Sequence, residues 1–172
     1  MKKFLLLLLL VFTTTVGAWA KTEKVVKSVK IVKADKVVVS KTQKKLYLIN
    51  QGVIFQQYPV VFGPKPWGHK VMVGDERTPE GLYYLDYKKE HSQFYKSIHI
   101  SYPNREDIKK ARLLGVDPGG NIMIHGFPAG PHLPVSVVQL YNWTDGCIAL
   151  KNEDMDAVWK AIEVGTPIEI LP

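Results

Sequence analysis

Short apolar runs separated by turn signals fill most of this 172-residue chain, and they predict a fold built mainly from strands. The runs at 45–49 and 53–61 flank Asn50-Gln51-Gly52, which predicts a β-hairpin. Thr78-Pro79-Glu80-Gly81 suits a type I turn, with proline at its second position and glycine at its fourth. The other predicted strands cover residues 37–39, 82–87, 97–101, 121–125 and 167–171.

Two segments carry the signals of helices. Asn104 can cap a helix that runs to Leu114, because Gly115 follows its last turn. Asn152 can cap a second helix, which Gly165 would end. The apolar stripe of this second helix has the spacing i, i+3, i+4, i+7 and consists of Met155, Val158, Trp159 and Ile162.

These elements together favour a mainly β (β-rich α+β) fold, a β-sandwich with two or three helices packed at one side. The chain has no internal repeat and no linker of distinct composition, so we expect one domain over residues 36–172. Residues 126–141 contain several prolines and glycines and show no clear period. They predict a long loop, and long loops in compact domains are often functional.

The first 20 residues have the three parts of a signal peptide. Lys2 and Lys3 precede an apolar run from Phe4 to Phe12, and Ala18-Trp19-Ala20 matches a small-x-small cleavage site. The run is about half of the roughly 20 residues that a spanning helix needs. We therefore expect an exported protein with no stable membrane span after cleavage; a retained N-terminal anchor is the alternative.

A lysine-rich stretch follows, and we treat residues 21–35 as a basic N-terminal segment. Lys21 to Lys45 contains nine lysines and only two acids, Glu23 and Asp35. It has neither the arginines nor the interleaved aromatics of a nucleic-acid-binding arm, so we expect no nucleic-acid partner. A weak attraction to an anionic envelope surface is one interpretation, and a solvated terminal segment is the other.

Cys147 and His125 are the candidate nucleophile and base. Cys147 is the only cysteine, which excludes an intrachain disulfide framework, a CxxC pair and a multi-cysteine zinc site. An ordinary thiol has a pKa of about 8.5, and a nearby imidazole usually lowers it in enzymes that use cysteine. Gly146 lets the backbone bend so that consecutive amides point at one spot, as an oxyanion hole requires. A buried structural cysteine is the alternative, and residue types alone do not separate the two.

The remaining histidines predict no metal site, because neither an HxxxH nor an HxH pair occurs. His99 is the one that we expect in a cleft, since it lies in an alternating strand. The chain also lacks a Walker loop, a GxGxxG and a GxSxG motif. We therefore expect no metal and no organic cofactor.

Ile124-His125-Gly126, followed after a loop by Thr144-Asp145-Gly146-Cys147-Ile148, resembles the signature of the L,D-transpeptidase (YkuD-type) catalytic domain. In that family a histidine-glycine pair precedes a Ser/Thr-x-Gly-Cys block. The likeness covers most of the mature chain. It includes Lys45-Leu46-Tyr47, Tyr58-Pro59-Val60, Thr78-Pro79-Glu80-Gly81 and residues 165–170.

The resemblance implies that Cys147 attacks peptidoglycan stem peptides at a diaminopimelate–D-alanine bond. D-Alanine leaves and a thioester forms, which a second diaminopimelate amine resolves in transpeptidation or water in carboxypeptidation. It further implies that His125 is the general base and that the Gly126 carbonyl orients its ring. The amides of Gly146 and Cys147 would bind the oxyanion. The expected compartment is a Gram-negative periplasm.

Two positions depart from the family pattern, because many members have histidine where this chain has Asp145 and arginine where it has Ala149. An acid beside the thiol opposes thiolate formation, although Asp145 could instead hold a substrate amine or stabilise a turn. The variant resembles a murein transpeptidase subgroup in which some members hydrolyse. Hydrolysis of the same stem peptides and a non-catalytic wall-binding module are therefore alternatives. The candidate substrate-binding residues are Thr144, Asp145, Trp143, Tyr141 and His99.

Overall fold

The computed structural model describes residues 31–128 and 134–172. The predicted signal peptide, most of the basic segment and part of the predicted 126–141 loop lie outside these residues. The described strands are β1 (Lys36–Ser40), β2 (Lys45–Asn50), β3 (Val53–Pro59), β4 (Gly81–Ser92), β5 (Tyr95–Ile100), β6 (Met123–His125), β7 (Ile148–Ala149) and β8 (Thr166–Leu171). The described helices are α1 (Arg105–Leu114), α2 (Val135–Val138) and α3 (Asn152–Ala161). None of these helices is long and apolar enough to cross a membrane.

The described strands form one mixed sheet in the order β3-β2-β1-β8-β4-β5-β6-β7. Two neighbouring pairs are parallel, β1 with β8 and β6 with β7, and the others are antiparallel. The predicted hairpin is confirmed as β2–β3, whose two-residue turn places Gln51 and Gly52 at φ values of 50° and 78°. The predicted β-rich fold is therefore confirmed.

The larger of two hydrophobic clusters among the described residues joins the two ends of this sheet. It contains Val37 and Leu46 near one end and Ile124 and Ile148 near the other, each fully buried. The buried stripe of α3 packs into the same cluster, with Met155 as its first member. Residues of distant strands and of α3 therefore share this cluster, which packs the helix against the sheet.

The prediction for α1 is confirmed down to its caps. The Asn104 side chain accepts hydrogen bonds from the Glu106 and Asp107 amides, and the Asp107 side chain accepts one from the Asn104 amide. Gly115 ends the helix with a φ of 68°, in the left-handed region.

The predicted caps of the second helix are wrong. Asn152 is the first residue of α3, and its Oδ1 accepts a hydrogen bond from the Phe127 amide at 2.7 Å instead of capping the helix. The helix ends at Ala161 because Ile162 is already extended, so Gly165 is not its cap. The sequence did not reveal that the Asn152 side chain accepts a hydrogen bond from the segment that follows His125. The 126–141 segment also contains the one-turn helix α2, which the loop prediction missed.

Candidate active site

The parallel pairing of β6 with β7 brings together the two residues predicted as nucleophile and base. Ile124 pairs with Ile148 and both point into the core, so His125 points to the opposite face. Cys147 immediately precedes β7, and the Met123 amide donates a hydrogen bond to its Sγ at 3.4 Å. The sulfur therefore lies beside the strand that carries His125, since Met123 precedes His125 by two residues in that strand.

His125 is held in a single orientation by its own neighbour. The side chain is buried, and its Nδ1 lies 2.6 Å from the Gly126 carbonyl oxygen. A carbonyl only accepts, so Nδ1 carries the proton and Nε2 remains an acceptor. Burial lowers the pKa of His125, and the bond to Gly126 opposes this shift. The imidazole is thus neutral near pH 7 and able to take a proton.

The position of Gly126 admits no side chain. A methyl group there would lie 2.4 Å from Asn152 Oδ1 and 3.0 Å from Tyr95 Cβ. The carbonyl that orients His125 therefore belongs to a residue that is packed on two sides. This geometry agrees with the role that the resemblance implies for Gly126.

Aromatic side chains enclose the His125 ring. Phe94 lies 4.6 Å and Trp143 5.8 Å from it between ring centroids. Phe127 packs edge-on against Trp143. The indole Nε1 of Trp143 is buried and has no hydrogen-bond acceptor among the described residues. Trp143 thus packs on the base, whereas Tyr141 is 64% exposed.

The Cys147 thiol is protonated in the resting protein. Burial is the main cause that raises the pKa of the thiol, and the exposed Asp145 carboxylate raises it further. The hydrogen bond from the Met123 amide and the charge of Lys70 lower the pKa, but by less. The thiol donates to the Asn121 carbonyl at 3.7 Å, and among the described residues no hydrogen bond joins it to His125. The lowered thiol pKa that a nearby imidazole usually gives is therefore absent in this state, because burial outweighs the nearby donors. Hydrogen bonds between catalytic groups often form only with substrate bound.

We expect the rate of Cys147 alkylation by iodoacetamide to rise with pH through a midpoint above that of glutathione. The thiolate is the reactive form, and a raised pKa moves its formation to higher pH. Asp145→Asn should lower the midpoint, since it removes a charge that disfavours the thiolate, whereas Asp35→Asn should leave it unchanged. Mass spectrometry across a pH series measures these rates. A wild-type midpoint below that of glutathione would contradict the assignment of a resting thiol.

The loop before Cys147 bends at a glycine in the left-handed region. Gly146 adopts a φ of 107°, and a methyl group there would lie 2.4 Å from the Arg77 carbonyl oxygen. Within the described residues we find no protein acceptor for the amides of Gly146 and Cys147. Both amides therefore have hydrogen-bonding capacity that the described part of the chain does not use.

Two threonine hydroxyls hold the carbonyls of this loop. Thr78 Oγ1 donates to the Gly146 carbonyl at 2.9 Å, and Thr144 Oγ1 donates to the Cys147 carbonyl at 2.7 Å. Thr144 is buried and its hydroxyl supports the loop, and its assignment as a substrate contact stays a prediction. The sequence predicts Thr78 only as a turn residue, because nothing in that turn reveals a contact 68 residues away.

The other substrate-binding candidates differ in exposure. Asp145 is exposed next to Cys147. His99 pairs with Met123 across β5 and β6, which places it on the same face of the sheet as His125. Its Nδ1 lies 2.6 Å from Asp86 Oδ1, and its ring stacks on Tyr87.

Among the described residues, no group of His, Cys, Asp and Glu could hold a metal ion.

The family model for the L,D-transpeptidase catalytic domain matches residues 34–170. The chain belongs to the L,D-transpeptidase catalytic domain family. The match includes both strands of the candidate site and the segment that carries Thr78. No curated protein matches the chain in sequence.

Several solved structures share the fold of this L,D-transpeptidase domain. The helical cell shape determining protein Pgp2 of Campylobacter jejuni is 26% identical, with a TM-score of 0.58 over 78% of this chain and 46% of that one. Bd1075 of Bdellovibrio bacteriovorus is 24% identical, with a TM-score of 0.56 and the same two coverages. An L,D-transpeptidase of Xylanimonas cellulosilytica is 14% identical, with a TM-score of 0.51 over 82% and 62%. The chain therefore spans less than half the length of the first two relatives.

Proposed function

We propose that this protein is a cysteine acyltransferase that acts on peptidoglycan stem peptides. The observation that carries the proposal is the β6–β7 pairing, which sets the Cys147 sulfur beside the strand that bears an oriented, neutral His125. Free amides at Gly146 and Cys147 supply the second requirement of acyl transfer, which is a site for the developing negative charge. Membership of the L,D-transpeptidase family supplies the substrate class.

The proposed reaction begins when the Cys147 thiol gives its proton to His125 Nε2 and the sulfur attacks the diaminopimelate carbonyl carbon. The carbonyl π electrons move to the oxygen, which the Gly146 and Cys147 amides bind. When the carbon–nitrogen bond breaks, the imidazolium returns the proton to the departing amine of D-alanine, and a thioester remains. An incoming diaminopimelate amine or water then passes a proton to His125 and attacks the thioester carbon. The carbon–sulfur bond breaks, and the imidazolium returns the proton to the departing sulfur, which restores the thiol.

The chain would act outside the cytoplasm. We propose that residues 1–20 are a signal peptide, that residues 21–35 are a basic N-terminal segment, and that residues 36–172 are a periplasmic catalytic domain. The lysines between Lys21 and Lys45 would attract an anionic envelope surface weakly. The likeness to a helical cell shape determining protein suggests a role in cell shape. The proposed substrate contacts are Thr144, Asp145, Trp143, Tyr141 and His99.

One observation favours the second candidate, a non-catalytic wall-binding module. The resting thiol has a raised pKa and does not contact His125 through a hydrogen bond. Incubation of the protein with isolated sacculi, followed by mass analysis of the muropeptides, separates the candidates. New cross-links between diaminopimelate residues indicate transpeptidation, and tripeptides without cross-links indicate hydrolysis. Unchanged muropeptides together with binding to sacculi would favour the binding module.

A further inference from the structure

Thr78 and Gly146 are joined by a buried hydrogen bond that controls one peptide plane. Thr78 is fully buried, and its hydroxyl donates to the Gly146 carbonyl at 2.9 Å. That carbonyl belongs to the same planar peptide group as the Cys147 amide. In a trans peptide the C=O and N–H bonds point in opposite directions. The Thr78 hydroxyl therefore directs the Cys147 N–H away from itself.

The surroundings of Gly146 explain why such a bond is needed. A glycine at a φ of 107° has no side chain to resist rotation of its peptide groups. The segment that carries Thr78 cannot shift easily, because the Arg77 carbonyl packs directly on Gly146. Gly63 is wedged between the same two segments, since a methyl group there would lie 2.0 Å from the Glu76 oxygen and 2.7 Å from the Thr144 oxygen. The hydroxyl thus acts from a rigid support.

We infer that Thr78 is a positioning residue of the oxyanion hole, because its hydroxyl fixes the Gly146–Cys147 peptide with the Cys147 amide facing the reacting carbonyl oxygen. This inference rests on the proposed function, since only an acyl-transfer site places negative charge at that amide. It adds to the site a residue that contacts neither the sulfur nor the imidazole. Thr78 acts only on the step that forms the oxyanion.

Two reagents separate this role from a general effect on the thiol. With p-nitrophenyl acetate, the sulfur forms a bond to the carbonyl carbon, the carbon–oxygen bond breaks and p-nitrophenolate leaves through an oxyanion. With iodoacetamide, the sulfur displaces iodide and no oxyanion forms. The ratio of the acylation rate to the alkylation rate therefore measures the oxyanion hole independently of thiol ionisation.

We expect Thr78→Val to lower this ratio by about tenfold to a hundredfold. This is at most the effect of removing one hydrogen-bond donor from an oxyanion hole, because the Cys147 amide is still present. Thr78→Ser, which keeps the hydroxyl, should stay within about threefold of the wild type on the same scale. Thr166→Val is the matched control, because Thr166 is also buried and its hydroxyl also donates to a backbone carbonyl, that of Glu163 at 2.7 Å. It should not change the ratio.

A spectroscopic measurement tests the peptide plane directly. The chain has one cysteine, so labelling with ¹⁵N-cysteine gives one amide resonance, that of Cys147. This resonance should shift or split in Thr78→Val and keep its position in Thr78→Ser and Thr166→Val. Thr78→Ala, which adds no bulk, replaces the valine variant if that variant does not fold.

The possible failures are distinguishable. Equal ratios and an unmoved resonance in the wild type and in Thr78→Val would overturn the inference and leave the proposed function standing. A wild-type ratio no higher than that of glutathione would show that the folded protein gives no oxyanion assistance. That result would overturn the proposed function and this inference with it.

Discussion

Cys147→Ala should reduce the release of D-alanine from a diaminopimelate-containing tetrapeptide to background, a loss of at least about a thousandfold. The alanine side chain cannot form the thioester, so the covalent route is closed. His125→Ala should cause a loss of similar size, because the thiol, whose pKa is raised, then has no neighbouring base to take its proton. Chromatography with mass detection measures the released amino acid.

His91→Gln is the matched control for these variants, because His91 is exposed and lies outside the candidate site. It should keep wild-type activity. The circular dichroism spectra of all variants should match that of the wild type, which separates loss of chemistry from loss of fold. D-Alanine release by Cys147→Ala at the wild-type rate would falsify the proposed function, because the chain has no other cysteine.

Gly146→Ala should lower the same activity by at least about a hundredfold, the size of effect seen when an oxyanion-hole donor is lost. The new methyl group would lie 2.4 Å from the Arg77 carbonyl oxygen, so the loop or its support must move. The positive φ of Gly146 adds backbone strain of about 1–3 kcal/mol, which should also lower the free energy of unfolding. Denaturant titration measures that second effect.

Gly165→Ala separates strain from displacement. Gly165 has a φ of 92°, but a methyl group there would meet nothing within 4 Å. This variant should therefore lose stability through strain and retain activity. If Gly146→Ala and Gly165→Ala retain the same activity, the close contact with Arg77 has no role in holding the candidate oxyanion site.

The sequence predicted those parts of the molecule that depend on local patterns. The β2–β3 hairpin follows from the turn residues Gln51 and Gly52, and the α1 caps follow from Asn104 and Gly115. His125 and Cys147 were identified by residue type and by a family resemblance. The structure then placed them at adjacent strands.

The parts that the sequence did not predict depend on partners distant in the chain. Asn152 is a residue type that often caps helices, but its side chain accepts a hydrogen bond from the Phe127 amide. Thr78 lies in a predicted turn, but its hydroxyl donates a hydrogen bond to the Gly146 carbonyl. The raised pKa of Cys147 likewise arises from tertiary burial, which the neighbouring sequence does not encode.

The protonated, partly buried state of the Cys147 sulfur has a consequence for its chemical lifetime. Peroxides and disulfides react with the thiolate, and reaction is slower where the sulfur is shielded from solvent. A protein exported as we propose would meet such oxidants without the reducing systems of the cytosol. Its sole sulfur nucleophile would be stored in a form that resists damage and becomes reactive when the peptide arrives.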